Sequence, residues 1–186
     1  MEVPGWKGKE MGISFRTTAN KAVIFYQAHL DSMSTYFKAV IKSENEVSFE
    51  YVMRGRKHVV TVTSDHCLNC GQWQHIWIER NVNQMRFVCK CFLRAIFQLR
   101  GLINRVSINQ NLKILYLKDE DKFIDLDGKL FVGGAPLRYL KGLNITLGFI
   151  GCLRGLVFDD DEVINLHRYL NHIKYVSSFM LISLKN

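Results

Sequence analysis

Four of the five cysteines of this 186-residue chain have a spacing that could hold a metal. They are Cys67, Cys70, Cys89 and Cys91, and the fifth is Cys152. Two closely spaced pairs, Cys67-x-x-Cys70 and Cys89-x-Cys91, are the pattern of a four-thiolate zinc site, because two ligands from one turn help to form a tetrahedron. The second pair suits zinc poorly, since one residue separates its cysteines on a predicted strand. We therefore disfavour zinc and expect one disulfide, or free thiols near a sheet edge. A redox role is disfavoured further, because the βαβ setting of such sites is missing.

Groups for acid–base catalysis are sparse. His75 has no carboxylate or nucleophile paired with it in the sequence. Cleavage of glycans needs two carboxylates that face one cleft. The acidic residues instead concentrate in predicted turns, at Asp119-Glu-Asp121 and Asp159-Asp-Asp-Glu162. We expect a protein that is not an enzyme, and keep a glycan-cleaving enzyme as the less favoured alternative.

Positive charge favours a polyanionic partner. The chain has 25 lysines and arginines against 17 aspartates and glutamates, a net charge of +8. Arg54, Arg56 and Lys57 cluster at a predicted turn, where they could engage the sulfate or carboxylate groups of heparan sulfate. The alternative is that these charges only solvate a loop. Nucleic acid is disfavoured, since the aromatic residues alternate like core residues and no recognised nucleic-acid motif is present.

The elements that must position these residues are short strands. Apolar residues recur with a period of two, and turns follow at intervals of roughly eight to twelve residues, which is typical of a β-sandwich. Residues 163–174 could hold a short helical turn, and residues 90–111 are the least regular part. The predicted strands are 12–18, 22–26, 35–41, 47–53, 59–62, 75–79, 85–89, 112–117, 129–132, 149–150 and 153–158.

Three glycine-containing motifs connect this pattern to a known family. They are Cys70-Gly-Gln-Trp-Gln-His75, Leu130-Phe-Val-Gly-Gly-Ala-Pro136 and Gly148-Phe-Ile-Gly-Cys-Leu-Arg-Gly-Leu-Val157. Such corners need φ values that residues with a Cβ resist. In this order the motifs resemble the laminin G-like domain, a module of laminin α chains, agrin, perlecan and neurexins. The resemblance implies an all-β jelly-roll β-sandwich of two antiparallel sheets.

The resemblance also implies a calcium site, because many laminin G-like domains hold one Ca²⁺ at a rim of the sandwich. Asp125 falls where the later acidic ligand is expected, whereas Thr35 stands where the earlier aspartate should be. Asp31 lies four residues before Thr35 and could fold back to replace it. We expect weak calcium binding at most. The alternative is that Asp125 and Asp127 are turn residues before a strand.

In the resembled family, the cysteine of the Gly-Cys motif usually bonds a second cysteine near the C-terminus. Cys152 fills the first position, yet no cysteine follows it. We therefore expect Cys152 to lack its usual partner. Asn144-Ile-Thr146 is an N-glycosylation sequon in a predicted loop, so Asn144 is a candidate glycosylation site.

Trp73 and Trp77 lie four residues apart and so share one side of a strand. We expect one of them to pack between the sheets, as a structural residue and not as part of a ligand site.

These observations predict a single laminin G-like domain over residues 10–176, with an N-terminal extension at 1–9 and a divergent apolar tail at 177–186. The expected function is recognition or adhesion in the extracellular matrix or at the cell surface, through protein or glycan ligands. A carbohydrate-binding, lectin-like sandwich is the alternative within binding modules. No signal peptide is visible in Met1–Glu10, and the apolar stretch 179–184 is too short to span a membrane as a helix.

Overall fold

The structure, a computed structural model, describes residues 1–31, 34–80, 84–91, 111–116, 126–136, 139, 149–159 and 162–164. For residues 80, 84–91, 111–116 and 162–164 the description covers the backbone alone. These residues form twelve strands: β1 (Glu2–Val3), β2 (Glu10–Thr17), β3 (Ala22–Ala28), β4 (Tyr36–Ile41), β5 (Glu46–Met53), β6 (Arg56–Thr63), β7 (Gln74–Arg80), β8 (Gln84–Cys91), β9 (Asn111–Tyr116), β10 (Leu130–Val132), β11 (Gly151–Phe158) and β12 (Glu162–Ile164).

The strands make two antiparallel sheets. The first sheet has the order β1-β10-β3-β4-β5-β6, and the second sheet has the order β12-β11-β2-β7-β8-β9. Strands β3 to β6 form a simple meander, whereas β2 pairs with the distant strands β11 and β7. The all-β sandwich of two antiparallel sheets that the sequence predicted is confirmed.

Alternation along the strands builds the core between the sheets. In β4 and β5, Phe37, Ala39 and Phe49 face inward, while Lys38 and Glu50 occupy positions that face away from the core. Removing these apolar side chains from water is the main favourable contribution to folding. Other large core side chains are Trp6, Ile13, Phe15, Ile24, Phe25, Tyr51, Ile76, Ile78, Phe149, Leu153 and Phe158.

The glycine corners that suggested the fold adopt the backbone expected of them. Gly133 and Gly134 follow β10 with φ values of 75° and 134°. The Gly133 N–H donates to the Ile24 carbonyl at 2.7 Å, and the Phe149 N–H donates to the Gly133 carbonyl at 3.3 Å. This corner thus ties β3, β10 and the approach to β11 together. Only glycine populates such φ values readily.

Residues 1–9 are not the extension that the sequence suggested. Strand β1 pairs with β10, and Trp6 is buried with its ring 5.5 Å from that of Phe37. Gln27, itself buried, accepts a hydrogen bond from the Trp6 N–H at 3.0 Å and donates to the Leu126 carbonyl at 2.7 Å. The N-terminal residues therefore pack into the sandwich, because they supply both a strand and a core side chain.

The sequence suggested a helical turn within residues 163–174, but the first two of these residues lie in a strand. Val163 and Ile164 belong to β12, which pairs with β11 opposite Val157 and Leu156. Residues 165–174 lie outside the described part of the chain, as do 92–110 and the tail 177–186.

Candidate functional site

One rim of the sandwich gathers two carboxylates and an imidazole. His29 and Asp31 follow the end of β3, and Asp127 precedes β10. Because β3 and β10 are antiparallel neighbours, the end of one strand meets the start of the other. The ligand atoms of the three side chains all lie within 4.8 Å of one another. The sequence brought only Asp31 and Asp127 into consideration. His29 was missed, although it stands two residues before Asp31 at a strand end.

Backbone hydrogen bonds hold this rim cluster of His29, Asp31 and Asp127. The His29 N–H donates to the Thr35 carbonyl at 3.0 Å and closes the loop. The Leu30 N–H donates to Asp127 Oδ1 at 2.7 Å, and His29 Nδ1 lies 3.6 Å from the same oxygen. This backbone hydrogen bond, with a smaller contribution from the charge of His29, lowers the pKa of Asp127. The carboxylate therefore stays ionised in mild acid.

The donor chemistry of the rim cluster fits calcium only in part. Carboxylate oxygens from Asp31 and Asp127 are suitable ligands, but calcium takes about six to eight oxygens. The imidazole of His29 is a nitrogen donor, which suits transition metals better. Asp125, the ligand suggested by sequence, lies outside the described residues.

The basic turn lies at the β5–β6 hairpin. Met53 pairs with Arg56, and the two residues between them, Arg54 and Gly55, have φ values of 50° and 76°. Positive φ at both central positions is the pattern of a type I′ turn, whose twist matches that of the strands. Arg54, Arg56 and Lys57 are all exposed. The side chains of Arg56 and Lys57, as consecutive strand residues, leave opposite faces of the sheet.

Lys57 is paired with a buried carboxylate. Its Nζ lies 3.0 Å from Glu50 Oε2, which also bonds Lys38 Nζ at 2.8 Å. The side chains of Lys38 and Glu50 are only 2% and 6% exposed, whereas that of Lys57 is 53% exposed. Part of the positive charge of Lys57 is therefore offset by Glu50.

The structure describes the side chains of three of the five cysteines, which are Cys67, Cys70 and Cys152. Cys67 and Cys70 are joined in a disulfide, so their sulfurs are not free to act as thiolate ligands. Leu68, between them, is buried and its N–H donates to the Glu44 carbonyl. Cys152 is a buried free thiol whose Sγ accepts a hydrogen bond from Arg16 Nη2 at 3.3 Å.

Trp73 and Trp77 do not pack between the sheets, which corrects the expectation that one of them would. Along β7 the buried positions are Gln74, Ile76 and Ile78. Trp73 and Trp77 are half-buried on the other side of the strand, together with His75. The inward places are taken by isoleucines because strand parity, and not side-chain size, decides which face a residue occupies.

Two further features bear on function only to a limited extent. Asn144, the candidate glycosylation site, lies outside the described residues. Across the described ranges, no helix has the length and apolar character needed to cross a membrane.

Comparison with known proteins identifies the family. The family model described as the laminin G domain matches residues 15–161. The protocadherin-like wing polarity protein stan of Drosophila melanogaster is 23% identical over 166 residues, which cover 85% of this chain and 5% of that protein.

Two solved structures share the fold. The LG1–3 region of the laminin alpha2 chain has a TM-score of 0.64 at 14% identity, and covers 88% of this chain and 30% of that one. Domains LG4–5 of the mouse laminin alpha1 chain have a TM-score of 0.55 at 17% identity, and cover 87% and 40%. They confirm the jelly-roll sandwich. Because the family model matches most of its length, the chain belongs to the laminin G domain family.

Proposed function

We propose that this domain is a non-catalytic extracellular recognition module that binds sulfated glycans such as heparan sulfate through the β5–β6 hairpin. The observation that carries the proposal is the pair of exposed arginines, Arg54 and Arg56, on a tight turn of a chain with net charge +8. Arginine suits this role because its planar guanidinium pairs with sulfate or carboxylate through two hydrogen bonds. A rigid turn also reduces the entropy lost on binding.

An extracellular setting is supported by two observations. The chain belongs to the laminin G domain family, and the Cys67–Cys70 disulfide is a bond that persists in oxidising compartments. Matrix or cell-surface ligands, proteins as well as glycans, follow from that setting. The chain spans only 5% of the stan protein, so the partners of a longer protein are a separate matter.

Heparin chromatography tests the hairpin. We expect Arg54→Ala/Arg56→Ala/Lys57→Ala to elute at clearly lower salt than the parent, because exposed charges attract a polyanion over a screening length of about 8 Å. Single variants refine the test. Arg54→Ala should shift elution more than Lys57→Ala, because Lys57 is already bonded to Glu50.

A matched control removes the same charge elsewhere. Lys21, Lys42 and Lys129 are exposed, and Lys21→Ala/Lys42→Ala/Lys129→Ala should elute close to the parent. If both triple variants shift equally, binding follows net charge alone. If neither shifts, the heparin surface lies elsewhere and the proposal fails.

A cation at the rim cluster is a second proposal, supported by the convergence of His29, Asp31 and Asp127. Its role would be to organise the loop between β3 and β4 and to offer a positive charge to an acidic ligand. We propose that calcium binds there weakly, since the described part of this rim supplies two carboxylates.

The absence of catalysis is part of the proposal and has its own test. Assays with generic glycosides should show no hydrolysis above background. Measurable turnover that copurifies with the domain would favour the glycan-cleaving alternative.

A further inference from the structure

The Cys67–Cys70 disulfide lies where the chain passes from one sheet to the other. It follows β6 of the first sheet and precedes β7 of the second sheet. Cys70 is exposed, whereas Cys67 is half-buried. Thiol–disulfide exchange requires that a thiolate reach one of the two sulfurs, so an exposed cysteine makes a disulfide open to attack.

Backbone hydrogen bonds hold this loop in addition to the disulfide. The N–H of Leu68, a buried residue, donates to the Glu44 carbonyl at 2.5 Å. The Gly71 N–H donates to the Thr17 carbonyl at 3.0 Å. The loop is thus attached to the β4–β5 turn on one side and to the end of β2 on the other. These contacts do not depend on the S–S bond, so the fold can persist when that bond is open.

The ring that the disulfide closes is short, because only Leu68 and Asn69 separate the two cysteines. A disulfide stabilises a fold mainly by restricting the unfolded chain, and this restriction grows with the number of residues in the ring. In a ring this small, the two cysteines are close neighbours in the unfolded chain as well. By thermodynamic linkage, a bond that adds little to folding is strengthened little by folding. Its reduction should therefore be almost as easy as in a flexible peptide.

The reduced state has a hydrogen-bond acceptor ready for its thiol. Cys67 Sγ lies 3.0 Å from Asn69 Oδ1. The amide of Asn69 is oriented, because its Nδ2 donates to Asn20 Oδ1 and its oxygen is left facing the sulfur. A disulfide sulfur has no proton to donate, whereas a thiol has one. Opening the bond therefore allows a hydrogen bond that the closed form cannot make, and a stabilised reduced form makes a disulfide easier to reduce.

We infer that the Cys67–Cys70 disulfide is a thiol–disulfide exchange site, which takes a small thiol of the glutathione class at Cys70. The thiolate of the partner attacks Cys70 Sγ, the S–S bond breaks, and a mixed disulfide forms. The electron pair leaves on Cys67 Sγ, which takes up a proton from water and donates a hydrogen bond to Asn69 Oδ1. A second thiolate of the same class attacks the partner's sulfur, and Cys70 leaves as a thiolate. Two partner thiols thus supply the two electrons and become one disulfide.

Exchange at this loop needs neither the β5–β6 hairpin nor the rim cluster. The sequence disfavoured a redox role because the βαβ setting of redox enzymes is missing. Here the exposure of Cys70 and the acceptor on Asn69 carry the chemistry instead. The bond stays closed in an oxidising compartment, so the site is compatible with an extracellular setting.

The test equilibrates the folded full chain in mixtures of reduced and oxidised glutathione. Free thiols are trapped by alkylation, and peptide mass spectrometry assigns each cysteine. We expect the Cys67–Cys70 bond to be half reduced in the range of cellular glutathione pools, where structural disulfides of secreted proteins stay closed. Circular dichroism should show the same fold before and after reduction. Cys152, which is 8% exposed, is the internal control and should not acquire glutathione.

Variants locate the chemistry. Asn69→Ala should need a ratio of [GSH]²/[GSSG] about three- to tenfold higher for half reduction, since a hydrogen bond of the thiol is lost. Gln72→Ala removes an exposed amide close by and should leave the midpoint unchanged. With oxidised glutathione, Cys70 in Cys67→Ser should react at least about tenfold faster than Cys67 in Cys70→Ser, because it is the more exposed cysteine.

If a serine variant does not fold, the midpoints of the parent and of Asn69→Ala still decide the matter. The inference is overturned if the bond opens only when the domain unfolds. It is also overturned if Asn69→Ala and the parent have the same midpoint, or if glutathione is found on Cys67 and not on Cys70.

Discussion

Glu50 holds two lysines on the outer face of the first sheet, and one of them is as buried as a core residue. Lys38 stands directly opposite Glu50 across β4 and β5, and its Nζ also lies 5.4 Å from the centroid of the Tyr36 ring. Desolvation lowers the pKa of Lys38, although the bond to Glu50 opposes this. Desolvation raises the pKa of Glu50, but the hydrogen bonds from Lys38 and Lys57 outweigh it and leave the pKa lowered.

Removing the carboxylate should therefore destabilise the domain strongly. We expect Glu50→Gln to lower the free energy of unfolding by about 3–5 kcal/mol at neutral pH, because it leaves the ammonium of Lys38 buried without its counter-ion. Chemical denaturation measures this change. The double variant Lys38→Met/Glu50→Leu should be near neutral, and Lys57→Ala should cost less than about 1 kcal/mol.

The effect of Glu50→Gln should depend on pH in a defined direction. Because the folded-state pKa of Glu50 is lowered from its ordinary value of 4.5, its stabilisation is complete above that pH. It is lost as pH falls through the folded-state pKa. The parent and Glu50→Gln should thus converge in acid. A difference that stays constant at all pH values would mean that packing, not charge, is responsible.

At the rim cluster, we expect weak calcium binding, with a dissociation constant of about 10⁻⁴–10⁻³ M, as in extracellular calcium modules. Calorimetry gives the value, and Asp127→Asn should abolish binding. Because the pKa of Asp127 is lowered, affinity should persist into mild acid until that carboxylate protonates. Asp65→Asn, at an exposed position outside the cluster, is the control. Binding at micromolar calcium would contradict the expectation.

Among the elements, β11 depends most clearly on glycine. Its register against β2 shifts between Arg154 and Val157, and Gly155 in this bulge has φ of 60°. Gly151, at the start of the strand, has φ of 151° and approaches β2 so closely that an added Cβ would lie 2.0 Å from the Arg16 carbonyl oxygen. Backbone cannot move aside as a flexible side chain can.

The two glycines should therefore respond differently to substitution. We expect Gly151→Ala to destabilise by about 3 kcal/mol, through strain and the clash with the backbone of β2. Gly155→Ala should cost about 1 kcal/mol, because its Cβ would meet nothing within 4 Å and only the positive φ opposes it. Thermal and denaturant unfolding compare them. Equal losses would show that φ alone sets the cost.

For the whole molecule, local patterns predicted the strands well and the long-range arrangement poorly. Strands such as β4 and β5 were visible because alternation is a property of neighbouring residues. Strand β1 was missed because two residues show no periodicity, and its partner β10 lies far along the chain. The orientation of β7 was ambiguous, because Trp73, Ile76 and Trp77 are all apolar and hydrophobicity could not assign the inward face.

The candidate sites, like the strands, were predictable where their residues lie close together in the sequence. The basic hairpin was found because Arg54, Gly55 and Arg56 form a local turn signal. The rim cluster was found only in part, since it joins the end of β3 to the start of β10 and needs the pairing of those strands. The contact of Trp73 with Arg16 and Arg154 was not found at all, because the three residues lie on or next to three strands that sequence alone does not place side by side.

The pairing of β2 with β11 has a consequence for the nascent chain. Thr17 pairs with Gly151, so at about 5–20 residues per second the ribosome needs roughly 7–30 s to deliver the partner. The meander β3–β6, whose strands pair with their chain neighbours, can form long before that. During synthesis the edge of β2 that pairs with β11 therefore keeps its backbone groups unpaired after the meander has formed. A chaperone would be of most use in this interval.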